Sequence, residues 1–79
     1  MPNVHVEIKK NDLGMTDEEN EVLATEFIRC VALLLGSAVG WDIVETEDYY
    51  LGNFLGLTDE QSQALEVVLD NTIWGYHVN

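Results

Sequence analysis

The sequence predicts an α+β fold, with two or three helices and a small sheet formed by N- and C-terminal strands. Three observations carry this reading. Val4, Val6 and Ile8 alternate with His5, Glu7 and Lys9, the period of a half-buried strand. Thr16 and Thr58 stand three residues before Glu19 and Gln61, the pairing that opens a helix with a reciprocal cap. Trp74, Tyr76 and Val78 alternate with Gly75 and His77, a second strand pattern at the other end of the chain. Chain ends often meet in compact domains, so these two strands are expected to pair.

Taken in order, the first strand stops at a turn read from Asn11, Asp12 and Gly14. The helix opened by Thr16 has Asp17 and Glu18 in its first turn, where exposed amides favour negative charge. Its apolar stripe is expected to run through Val22, Leu23, Phe27, Cys30, Val31, Leu34 and Leu35, and the helix to end between Gly36 and Gly40. Trp41 to Val44 reads as a short strand or an extended link. Thr46 is placed to cap a short helix through Glu47, Asp48, Tyr49, Tyr50 and Leu51. Gly52 and Gly56 bracket Asn53, Phe54 and Leu55, so this stretch reads as broken or loop-like. The helix opened by Thr58 presents Ala64, Leu65, Val68 and Leu69 and closes at Asn71 or Gly75. Trp41 and Phe54 are expected in the core, with one of Tyr49 and Tyr50 exposed.

Leu13-Gly14-Met15-Thr16-Asp17-Glu18-Glu19 matches Leu55-Gly56-Leu57-Thr58-Asp59-Glu60-Gln61 at a spacing of 42 residues. Shared cap chemistry accounts for the match more simply than a duplication, because the residues that follow diverge.

The chain of 79 residues fits one domain, 1–79, and its apolar fraction of 47% is too high for a disordered acidic tail. Its net charge is -12, from 15 acidic and 3 basic residues, the latter being Lys9, Lys10 and Arg29. Mutual repulsion on this scale costs folding stability and argues against direct binding to nucleic acid or an anionic membrane. The same repulsion is expected to raise carboxylate pKa values, so that stability rises on mild acidification until solubility fails near the isoelectric point of 4.1. Cys30 is the one cysteine, which rules out an internal disulfide, and its apolar surroundings predict a buried thiol. No basic segment leads into a long apolar stretch, so no signal peptide is read and a cytoplasmic location is expected.

Candidate chemistry is sparse. Loops starting at Asp12 or Asp42 lack the glycine that a calcium-binding EF-hand places sixth; Asp17 and Glu47 stand there instead. His5 and His77 would face each other if the terminal strands pair, but two histidines and one cysteine without local spacing do not make a zinc site. Gly36-Ser37-Ala38-Val39-Gly40 lacks the spacing of a nucleophile elbow, and no glycine-rich loop carries a lysine. Neither Ser37 nor Ser62 lies in the Asp-Ser-Leu setting of an acyl carrier protein. The chain is therefore read as a non-enzyme without cofactor or metal.

Function is read from the carboxylates. Asp17, Glu18 and Glu21, then Glu45, Glu47 and Asp48 with Tyr49 and Tyr50 beside them, then Asp59 and Glu60, are the candidate partner-binding residues. Helical carboxylates at such spacings present negative charge at intervals comparable with duplex phosphates. In size and charge the chain resembles the small acidic inhibitors of phages and mobile elements, including nucleic-acid mimics that block restriction, repair or CRISPR proteins. That resemblance implies a basic partner, a nucleic-acid-binding enzyme or effector of the host, and an inhibitory outcome. The alternative is a homo-oligomeric structural or adaptor protein whose acidity serves solubility or salt adaptation. The run from Cys30 to Leu35, apolar on every side of a helix, calls for cover either from a second copy or from the sheet and later helices.

Overall fold

The computed structural model describes residues 2–10 and 14–79. The elements are β1 (Val4–Lys9), α1 (Asp17–Leu35), β2 (Gly40–Glu45), β3 (Tyr49–Leu55), α2 (Asp59–Asp70) and β4 (Gly75–Val78). The fold is α+β, with two helices and one antiparallel sheet in the order β2-β3-β1-β4. Both terminal strands belong to it, and they pair as the sequence predicts, Val4 with Val78 and His5 with His77. Backbone bonds between Asn3 and Asn79 in both directions, at 3.0 and 2.8 Å, extend that pairing. The βαββαβ order with two interleaved split β-α-β units is the ferredoxin-like arrangement, which hosts many unrelated functions.

One face of the sheet carries the core. Val4, Val6 and Ile8 of β1 are buried opposite Phe54, Gly52 and Tyr50 of β3. Their odd-numbered β1 neighbours His5 and Glu7 lie on the other face, where Asn53 bonds to His5 Nδ1 at 2.5 Å and to Asp42 at 2.5 Å. His77 bonds to Glu7 at 3.2 Å rather than turning to His5.

α1 lies on the buried face along a different line from the expected stripe. Asn20, Ala24, Ile28 and Ala32, four residues apart, are its buried positions, and Phe27, Val31 and Leu35 flank them. Val22 and Leu34 point to solvent, and Cys30 is exposed, so the thiol is not buried as expected. The larger residues lose to alanines because the helix sits close to the sheet. At Gly52 an added β-carbon would meet Ile28 Cδ1 at 2.3 Å, and only small side chains above and below Ile28 permit that approach. The apolar run is accordingly left uncovered on one side, with Leu33 60% and Leu34 86% exposed.

The segment after β2 differs most from the sequence reading. Thr46 does form the cap-like bond, since Tyr49 N donates to Thr46 Oγ1 at 3.0 Å. Thr46 N in turn donates to Tyr49 O at 2.8 Å, and the pair closes a β-hairpin instead of opening a helix. Tyr49 to Leu55 then runs as an unbroken strand, not a loop, because Gly52 serves helix approach and interrupts nothing. Phe54 is fully buried, as expected, whereas Trp41 on the edge strand is 38% exposed and outside the core. Tyr50 is buried and Tyr49 exposed.

α2 opens at Thr58 with both bonds of the capping box and ends at Asn71. Ser62, Leu65 and Leu69 form its inward line, while Ala64 and Val68, expected on the apolar face, are exposed. Gln61 has a second role: its Nε2 donates to Leu35 O at 3.0 Å and ties the start of α2 to the end of α1. Phe27 and Trp74 meet edge to face at 4.8 Å between the helix layer and β4. The two matching segments occupy equivalent strand-to-helix junctions. Gly14 and Gly56 both adopt positive φ, 69° and 72°, Thr16 and Thr58 both cap, and Asn20 and Ser62, 42 apart, are both buried. Leu13 of the first segment, like Asn11 and Asp12 of the expected turn, lies outside the described residues.

Candidate functional site: an acidic cleft at one end of the sheet

The end of β1, the first turns of α1 and the β2–β3 hairpin enclose a cleft of about 310 Å³. Its lining is Asp17, Glu18 and Glu21 from the helix, Glu45, Glu47 and Asp48 from the hairpin, Tyr50 from β3, and Lys9 and Lys10 from β1. Each group arrives for a local reason. The capping box at Thr16 fixes the first turn of α1, where carboxylates face the helix amides. The Thr46–Tyr49 turn sets Glu47 and Asp48 at the hairpin tip, and Lys10 N donates to Asp48 O at 2.9 Å, which holds the tip to the end of β1.

Lys10 is the one base drawn fully into the cleft. Its Nζ bonds to Glu45 at 2.6 Å and lies 4.9 Å from the centre of the Tyr50 ring. The bond to Glu45 raises the Lys10 pKa against an opposing effect of desolvation, so the ammonium is held charged. Burial raises the Tyr50 phenol, with Glu45, Glu21 and Asp17 adding to the rise and Lys10 opposing it. Lys10 thereby pairs with Glu45, whose side chain stays 58% exposed, while Asp17, Glu18, Glu21, Glu47 and Asp48 line the same cleft with the exposed Lys9.

Seven of the sequence-predicted residues therefore converge here: Asp17, Glu18, Glu21, Glu45, Glu47, Asp48 and Tyr50. Three do not. Tyr49 lies on the opposite face of the sheet, beside Glu7, Lys9, Ile73, Trp74 and Gly75. Asp59 and Glu60 begin α2, at the Leu55 end of β3 and so at the far pole of the molecule. The contribution of Lys10 was not legible as a role, although Lys9-Lys10 is the one pair of adjacent bases in the sequence.

Glu18 also joins the cleft to a shallow groove on α1, in which Met15, Val22 and Leu23 are rimmed by Glu18, Glu19 and Glu26. Among the described residues no group of three His, Cys, Asp or Glu side chains is arranged to hold a metal ion, and no helix is long and apolar enough to cross a membrane. No protein-family model, curated protein or solved structure matches the chain.

Proposed function

We propose that this chain is a binding protein that docks through its acidic cleft and the adjoining α1 groove onto a basic, nucleic-acid-binding protein in the cytoplasm and blocks it. The observation that supports this reading is the convergence of six carboxylates from α1 and the β2–β3 hairpin on one cleft in which Lys10 is tightly paired to Glu45. The carboxylates of the cleft attract a cationic partner, and the groove beside them supplies apolar contact. The test is capture of a basic nucleic-acid-binding protein at low and at high salt, beside a variant carrying Asp17→Asn, Glu18→Gln, Glu47→Gln and Asp48→Asn. Capture is expected to weaken as the Debye length shrinks from about 10 Å at 0.1 M to about 3 Å at 1 M salt, to fall in the variant, and to be reversed by duplex DNA. Retention of the partner by the variant at full strength would remove the support.

A second reading, homo-oligomerisation, is favoured by the exposure of Val22, Leu33 and Leu34 on α1. Because Leu34 is 86% exposed, Leu34→Glu leaves the protomer core untouched and reads out association alone by sedimentation.

A further inference from the structure

We infer that the β2 edge of the sheet is a second docking element, which takes up an extended basic segment of the partner as a fifth strand; this rests on the proposed docking to a basic protein. β2 stands at the end of the sheet, and among the described residues its backbone bonds run to β3 alone. Proteins usually blunt such an edge with lysine, proline, a bulge or a very short strand. β2 has none of these; the one device it does carry is charge, Asp42 and Glu45, which repels an acidic strand and not a basic one. Gly40 to Glu45 contains no Lys, Arg or Pro, and all six residues pair one to one with Leu55 to Tyr50. The other edge, β4, is only four residues long. Every β2 residue except Ile43 is exposed, including Trp41 and Val44.

Charge decides what this edge accepts. Asp42 lies on the open face with Asn53, and Glu45 lies on the helix face beside the cleft. A second copy would bring Asp42 and Glu45 of both chains to one seam, next to Glu47 and Asp48, with no basic residue on either β2 strand to offset them. A basic strand meets the opposite situation. Asp42 and Glu45 are three residues apart and on opposite faces, so the complementary segment carries two basic residues three apart with β-branched residues between them. Backbone pairing supplies the register, and the two cations supply the selection.

The probe is the capped peptide Thr-Lys-Val-Val-Lys-Thr, followed by chemical shifts and amide exchange at low salt. Binding with slowed exchange at β2 amides is expected. Alternate backbone amides of a strand face its partner, so of two peptides N-methylated on alternate sets, one should lose at least tenfold in affinity and the other little. The Glu-for-Lys peptide should not bind. If both methylated peptides bind as well as the parent, strand addition is wrong while docking by charge stands. If no lysine peptide binds anywhere, docking to a basic partner fails with it. Equal binding of the Glu peptide, or protection of β2 that rises with protein concentration alone, also overturns the inference, the latter in favour of a second copy.

Discussion

Gly52 of β3 lies beneath Ile28 of α1, so close that a β-carbon at position 52 would stand 2.3 Å from Ile28 Cδ1 and 2.6 Å from Cγ1. Both atoms belong to a side chain that is itself fully buried, and room for it to turn aside is scarce. Gly52→Ala is therefore expected to destabilise the fold by about 1–3 kcal/mol, the usual range for overpacking a core. Denaturant unfolding checks this. In an Ile28→Ala background the same glycine substitution should cost far less, and the double-mutant cycle should show a favourable coupling.

The two helix starts should respond alike. Thr16 and Thr58 each accept from the N3 amide and are answered by Glu19 and Gln61. Thr16→Ala and Thr58→Ala are each expected to cost about 1 kcal/mol. Gln61→Ala should cost more than Glu19→Ala in thermal melts, because Gln61 also holds the last carbonyl of α1 at Leu35.

At two carboxyl groups, Glu19 and Glu26, acid is expected to remove stability. Hydrogen bonds from Thr16 lower the Glu19 pKa, and the hydrogen bond from Arg29 lowers that of Glu26, below the ordinary value of 4.5. A carboxyl group whose folded value is depressed contributes stability that is complete above its unfolded value and is lost as pH falls through the folded value. These local bonds, and not repulsion among carboxylates, set the direction at both groups. Melting temperatures of dilute protein should fall on acidification below pH 4.5, and Glu19→Gln combined with Glu26→Gln should flatten that dependence. Carboxyl titration by NMR gives the two values individually.

At the alkaline end the group to follow is Tyr76. Its hydroxyl donates to Asp70 at 2.5 Å, and this bond with burial and the nearby carboxylates pushes its pKa up to about 12. A phenol with a raised folded value contributes stability below its unfolded value near 10, and the contribution is lost as pH rises through about 12. In an ultraviolet titration Tyr76→Phe should remove a late-ionising phenol, and Asp70→Asn should bring that phenol back toward 10.

What was legible in the sequence followed from local chemistry. The capping boxes at Thr16 and Thr58 and the alternation in β1 and β4 need only neighbouring residues, and all four elements stand where those signals put them. The β2–β3 hairpin was hidden because Thr46 makes the same i to i+3 bond in a turn as in a helix cap. β3 was hidden because Leu51 and Leu55 on its open face leave little polar alternation against Tyr50 and Phe54, and Gly52 looks like a break until Ile28 is seen above it. The buried line of α1 was misplaced for the same reason, since a close approach selects Ala24 and Ala32 over larger neighbours. Of the acidic residues, those near the first helix start and the hairpin came together, and Asp59 and Glu60 did not, because pairing of β1 with β3 sets the two helix starts at opposite poles.

The strand order governs what happens when the chain is cut. Cut between Glu47 and Asp48, it yields one piece with β1 and β2 and another with β3 and β4. In the sheet these alternate, β2-β3-β1-β4, so each of its three seams joins one piece to the other and none lies within a piece. Neither fragment owns a single strand pair. A protease that nicks the hairpin tip would leave the sheet intact only as a two-chain complex, and the separated halves, each carrying one capped helix, would regain β-structure only on being mixed. Such a pair would serve as a reassembly reporter, its signal falling with dilution where that of the uncut chain would not.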